Sequence, residues 1–166
     1  MKKISSILLA GVFALSSSFA LAANNKIGVV DLQKIMQTAP QMKEIQEKLE
    51  HTFKLRRDNL VAMEESLKKD MESFNRDRAV LSVAKKKDLE KKIIEAQQQF
   101  ERDGQQYQQE LNAANNEAME AFYGKIRSAI AKVAESEKYD LVFQKDAAPF
   151  SLEALDVTAK VMKEII

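Results

Sequence analysis

Residues 40–74, PQMKEIQEKLEHTFKLRRDNLVAMEESLKKDMESF, decide how this chain folds. Apolar side chains fall at Met42, Ile45, Leu49, Phe53, Leu60, Met63, Leu67, Met71 and Phe74, and Arg56 stands on the one rung they skip. The mean spacing is about 3.6 residues, the period of an α-helix, and the stripe is narrow. Most other positions are charged or polar, so the helix faces one partner and is otherwise solvated. Pro40 suits its first turn. The pattern breaks at Ala79 to Leu81, after which Ser82 is placed to cap a second helix. The second stripe runs Leu89, Ile93, Ala96, Phe100, Gly104, Tyr107, Leu111, Ala114, Ala118, Phe122, Ile126, Ala129 and Val133, about 3.7 residues apart. Two narrow-striped helices joined by a short turn predict an antiparallel hairpin. At about 1.5 Å per residue the first arm is on the order of 55 Å long, more than a compact domain of this size needs. The second arm is longer, so its last turns should enter whatever body the hairpin leaves.

That body is read from both flanks. Lys26 to Asp31 is a β-branched run that predicts a strand, and Asp31 can cap a short helix over Leu32 to Thr38. Tyr139 to Gln144 predicts a second strand, and Ala147 to Ser151 a short third one. Ser151 is placed to cap a final helix whose buried face holds Leu152, Leu155, Val161, Met162 and Ile165. The expected fold is therefore α+β and mostly α, with residues 23–39 and 139–166 forming a small body and residues 40–138 the hairpin. Strands this short leave unpaired edges, and the body buries little. The remedy is for several chains to pool their cores, with Ile27, Val29, Leu141, Phe143, Leu155 and Val161 as candidate oligomer-core residues. The arms are thin too: each stripe side chain contributes about 1.5–3 kcal/mol, while ordering each backbone residue costs about 1–2 kcal/mol. A homo-oligomer with a rigid base and pliable arms is expected.

Composition removes most catalytic chemistries. The chain has 166 residues, 26 Lys+Arg against 25 Asp+Glu, no Cys, one His, four Gly and two Pro. Without cysteine there is no disulfide framework, zinc–thiolate site or thiol nucleophile. His51 is alone, with Glu47 but no second ligand one turn away, so neither a multi-histidine metal site nor a supported triad is available. Neither G-x-x-x-x-G-K-[ST] nor G-x-G-x-x-G occurs, so no phosphate-cradling loop is expected. No catalytic residue, metal or cofactor is assigned. Function must lie in surfaces.

The first 22 residues predict an export signal. Met1-Lys2-Lys3 is a short basic start, Ile4 to Leu15 is an apolar run, and Ala20-Leu21-Ala22 supplies a small-x-small cleavage pattern. Cleavage after Ala22 would deliver the chain to the periplasm or outside the cell. Loss of Lys2 and Lys3 leaves a net charge of −1, which argues against a nucleic-acid partner.

Three surface features carry candidate functions. The turn of the hairpin is basic through Lys68, Lys69, Arg76, Arg78, Lys85, Lys86, Lys87, Lys91 and Lys92, against the acids Asp70, Glu72, Asp77, Asp88 and Glu90. Such a tip suits transient contact with an anionic membrane surface or an acidic client, and equally a solvated turn. No aromatic residues interleave to stack bases, so nucleic acid is again disfavoured. Leu55, Val61, Val80, Leu81, Ile94, Met119 and Tyr123 lie off the stripes and are candidates for contacting an apolar client, or scattered surface residues. Gly104 and Gly124 interrupt the second helix as candidate hinges or as points of close helix packing.

The order of elements then carries a resemblance. With "KIGVVDLQKIMQTAPQMKEIQEKLE", a long charged hairpin, "AIAKVAESEKYDLVFQ" and "LDVTAKVMKEI", the chain resembles the Skp/OmpH family of periplasmic chaperones over nearly all of its exported part. The resemblance implies a homotrimer whose short strands and helices form a β-barrel-like body, from which three hairpin tentacles enclose a cavity. It implies an ATP-independent holdase that binds unfolded outer-membrane β-barrel proteins and prevents their aggregation. The best-known members of that family are strongly basic overall, whereas this exported chain is near neutral and basic only at the tip, so lipopolysaccharide binding is not expected and client attraction should depend less on salt. A reading of a different class, a coiled-coil spacer or adaptor in the cell envelope, would need stiff arms and a defined docking patch.

Overall fold

The computed structural model describes residues 25–165; the expected export segment, residues 1–22, lies outside them. The elements run β1 (Ile27–Val30), α1 (Leu32–Thr38), α2 (Pro40–Asp77), α3 (Val83–Glu137), β2 (Leu141–Gln144) and α4 (Thr158–Glu164), with one-turn 3₁₀ segments at Lys145–Ala147 and Glu153–Leu155. The fold is mostly helical, with a small α+β body carrying a long hairpin, as the stripes predict.

Local chemistry sets most of the boundaries. The Asp31 carboxylate accepts the Lys34 backbone N–H at 2.8 Å and starts α1. Pro40 occupies the first turn of α2, where its missing N–H costs nothing. Ser82 accepts the Lys85 N–H and starts α3, so the hairpin turns within a few residues of Ala79. At the other end of α3, Lys138 adopts a left-handed conformation, φ 59° and ψ 46°, while the Tyr139 N–H returns to the Ala134 carbonyl at 2.9 Å. This is the helix stop that normally belongs to glycine.

β1 and β2 pair in parallel, Ile27 opposite Leu141 through Val30 opposite Gln144. The whole hairpin is thus the crossover between two neighbouring parallel strands. Gly28 permits this packing, because a Cβ there would meet Val157 Cγ1 at 3.2 Å and the Tyr139 ring at 3.4 Å. One core cluster lies at the base: Val30, Ile35, Ala39, Phe122, Ile126, Ala129, Val133, Val157, Val161 and Ile165. The last turns of α3 supply four of these side chains, as its length led us to expect.

Two expectations are corrected. Residues 147–151 form no third strand: Ala147 ends a 3₁₀ turn, and Pro149, which has no N–H for a ladder, breaks the segment after it. Ser151 does not cap the last helix, which begins only at Thr158, and Leu152 is exposed rather than on a buried face. The reason lies in β1: the Val157 N–H donates to the Val29 carbonyl at 2.8 Å, with Asp156 bridged to Val29, and this holds the chain extended beyond Leu155. Asp156 then accepts the Thr158 N–H at 2.8 Å.

Lys138→Gly is expected to stabilise the protein by about 1 kcal/mol, since the left-handed conformation costs any residue with a Cβ; a raised thermal midpoint by circular dichroism checks this. Gly28→Val should lower that midpoint, because Val157 and Tyr139 flank the added side chain.

Candidate interaction surface of the hairpin

The seam between α2 and α3 is apolar along most of its length but fails at one level. Phe53 and Tyr107 meet edge to face with ring centroids 5.9 Å apart. Immediately distal, Arg56 replaces an apolar rung and reaches across to Glu110 in an ion pair. Gly104 stands on α3 between Asp103 and Tyr107, and a Cβ added to it would touch nothing within 4 Å. The result is a cleft of about 220 Å³ lined by Arg56, Asn59, Leu60, Met63, Asp103, Gln106 and Tyr107. Close helix packing therefore does not explain Gly104. At Gly124 the nearest group to an added Cβ is the Arg127 guanidinium at 4.0 Å, and α3 is unbroken through both glycines.

At the tip the structure joins charge to apolar surface. Arg76 pairs with Asp77, Lys91 with Glu95 and Lys92 with Asp88. Lys68, Lys69, Arg78, Lys85, Lys86 and Lys87 have no ion-pair partner among the described residues. Between them Val80 is 88% and Val83 84% exposed. Val83 was not singled out by the sequence reading, although its place directly after the capping Ser82 was the available signal.

Of the off-stripe residues, Leu55, Val61, Val80, Ile94 and Tyr123 are exposed, whereas Leu81 and Met119 are half-buried. Leu81 turns into a groove with Phe74, Leu89 and Ile93 and so helps close the end of the seam. Met71, a stripe residue, is instead largely exposed. His51 is exposed, and no cluster of metal-ligating side chains occurs among the described residues.

In the body, Val29 and Val161 are buried within this single chain, while Ile27 and Leu155 are half-buried. Leu141 and Phe143, on one face of β2, remain exposed, as do Phe150 and Leu152 on the segment that follows. Phe150, 82% exposed, escaped the sequence reading because the expected third strand would have paired its segment.

Charge fastens the segments that flank the hairpin to one another. Lys160 donates to Glu137 at 2.6 Å, and Lys26 lies 3.6 Å from the same carboxylate and 4.2 Å from the Tyr139 ring centre. The Lys160 bond, with Lys26 beside it, holds Glu137 below the usual carboxylate range. Asp31 is lowered by its bond from the Lys34 N–H and by Lys145 at 3.1 Å.

A long two-helix arm on a small α+β body, with exposed apolar groups on the arm, on β2 and on the segment after it, presents an extended surface rather than a catalytic pocket. Comparison with known proteins specifies the family. The model of the outer membrane protein (OmpH-like) family matches residues 26–165, and the chain belongs to that family. It is 30% identical to the chaperone protein Skp of Pectobacterium atrosepticum over 91% of this chain and 92% of that protein. It is 29% identical to the chaperone protein Skp of Escherichia coli K12 over 95% and 97% of the two chains. A solved OmpH-like protein from Caulobacter crescentus shares the fold, with a TM-score of 0.76 over 86% of this chain and 85% of the other at 15% identity. The resemblance drawn from the sequence is thereby confirmed, and these relatives are named as chaperones, a non-enzymatic class.

Both depressed carboxylates favour the folded state above their unfolded values, near pH 4, and that contribution is lost as pH falls through their folded values. Acid titration should show stability declining below about pH 4, and Glu137→Gln should flatten the decline. Gly104→Ala, with open space around its Cβ and no strained backbone, should raise stability by about 0.5–1 kcal/mol in urea unfolding.

Proposed function

We propose that this chain is an ATP-independent holdase of the periplasm that binds unfolded outer-membrane β-barrel proteins between its arms and prevents their aggregation. The observation that carries this reading is the hairpin itself: arms of 38 and 55 residues whose exposed Leu55, Val61, Ile94 and Tyr123 offer many separate weak apolar contacts. Membership of a family whose relatives are named chaperones supports it. The expected export signal in residues 1–22 supports the compartment, where no nucleotide pool drives release. Release then follows because insertion and folding in the membrane are more favourable for the client than staying bound.

Several chains act together in this reading, three by analogy with the family resemblance. Leu141, Phe143, Phe150 and Leu152 are the surfaces a second and third body cover, and β2 offers its free edge. The break at Arg56 and Gly104, with Gly124 nearer the body, lets the arms bend to fit clients of different size. The basic tip with Val80 and Val83 makes transient contact with an anionic membrane surface, lysines holding the headgroups while the valines reach past them.

The test dilutes a urea-unfolded β-barrel protein into buffer with this protein and no nucleotide, following light scattering and the mass of the complex. Suppressed aggregation with one client per small oligomer is expected; unchanged aggregation across several unrelated barrels would leave the spacer reading. Phe143→Asp should shift the native mass toward the monomer, since a charge buried between bodies is strongly unfavourable. Sedimentation velocity at micromolar concentration reads that shift.

A further inference from the structure

Near the body, one side of the hairpin is open. A groove of about 440 Å³ runs between α2 and α3, its walls formed by Ile45, Leu49 and Phe53 from one helix and Ala114, Ala118 and Phe122 from the other. It exists because two of the three α3 rungs are alanine, too small to fill the seam opposite Ile45 and Leu49. The rim carries Glu44 and Lys48 on α2 and Glu117 and Lys125 on α3. None of these four makes an ion pair among the described residues, although elsewhere on the arms Lys43 pairs with Glu47, Lys54 with Asp58 and Lys91 with Glu95. An apolar channel is thus edged by both signs of unengaged charge.

We propose that this groove is a binding site for an extended segment of alternating apolar and polar residues, about five residues long. The inference rests on the holdase reading above and names where a client segment sits within it. Spacing is the first reason. The rungs on each wall stand four residues apart, a rise of about 6 Å along a helix, and alternate side chains of an extended strand stand about 6.7 Å apart. Apolar side chains at alternate positions therefore meet one rung each. The groove spans residues 41–53 of α2, roughly 18 Å, which is the length of about five strand residues.

The rim is the second reason. An unpaired extended segment presents free N–H and C=O groups along both edges, and each needs a partner once its surroundings dry. Lys48 and Lys125 donate to carbonyls, and Glu44 and Glu117 accept from N–H groups. A bound helix would have these backbone groups already satisfied.

Because the sequence holds no cysteine, Ala121→Cys, on the groove wall, carries a single environment-sensitive fluorophore in the intact protein. Gln98→Cys, on the distal arm, is the control. The probes are two capped ten-residue peptides of one composition, one with apolar residues at alternate positions and one with them at helical spacing. We expect a saturable response at position 121 to the alternating peptide, weaker by roughly tenfold for the other, as loss of an apolar anchor implies. No comparable response is expected at position 98. Ala118→Phe, which fills the groove, should abolish the response while the circular dichroism melt stays cooperative; Lys48→Glu, on the exposed rim, should weaken it with no change in the melt.

If the protein suppresses client aggregation while position 121 stays silent, the groove is overturned and the holdase reading stands. Should aggregation be unaffected while the alternating peptide saturates the probe, the groove stands as a peptide site and the holdase reading falls. An equal or stronger response to the helical-spacing peptide overturns the extended occupant. A response that tracks protein concentration without peptide assigns the groove to a second copy and also overturns it.

Discussion

Phe122, Ile126, Ala129 and Val133, the last four buried rungs of α3, lie in the same core as Val30, Ile35, Val157 and Val161. This burial is the constraint on which the rest of the structure depends. It makes α3 at once the returning arm of the hairpin and the central post of the body, so the arm's direction is set where it is best packed. β1 and β2 are neighbours because α3 delivers the chain back beside the point where α2 left it. Both strands consequently run the same way, which a simple strand–turn–strand connection could not produce. The ion pairs of Glu137 with Lys26 and Lys160 fasten this junction from outside.

From base to tip the character of the hairpin changes in steps. At the base it is core. Further out, up to Phe53 and Tyr107, it has a firm seam with an open groove on one side. Beyond Arg56 and Gly104 the seam resumes after a polar break, and at the tip the apolar side chains Val80 and Val83 stand in solvent among unpaired lysines. A gradient of this kind gives one structure distinct regions: a packed junction, an apolar channel, a polar break in the seam and an end with exposed apolar and basic side chains. In the proposed holdase, weak contacts spread along it would hold a client without selecting a single conformation, whereas a compact pocket would select one.

The elements of this fold were largely legible in the sequence because their signals are local. The stripe from Met42 to Phe74, Asp31 before α1, Pro40 at the start of α2 and Ser82 before α3 each act within one or two turns, and the structure places them as expected except for Met71, which is exposed. The misreading of residues 147–158 has the opposite origin. Ser151 is a good cap and Leu152 a reasonable helix residue, but the extended Asp156 and the placement of Val157 are set by β1, which lies far away in sequence. The candidate surface divides in the same way. The basic tip and the exposed Leu55, Val61 and Ile94 could be read from departures from the stripe. Leu81 and Met119 depart from it as well, yet they are half-buried, and Leu81 is so because the turn folds it against Phe74, Leu89 and Ile93.

By itself, then, the sequence determined the two long helices, their turn, the short strands, the lack of cysteine chemistry and the charge of the tip, since periodicity, capping and composition each depend on residues close together in the chain. Only the tertiary structure decided that the strands pair in parallel, that Val29 and Val161 are buried inside one chain while Leu141 and Phe143 are not, and that alanines 114 and 118 leave an open channel opposite Ile45 and Leu49. Whether a residue is covered depends on what stands across from it, and at these positions the opposing residue lies far away in sequence.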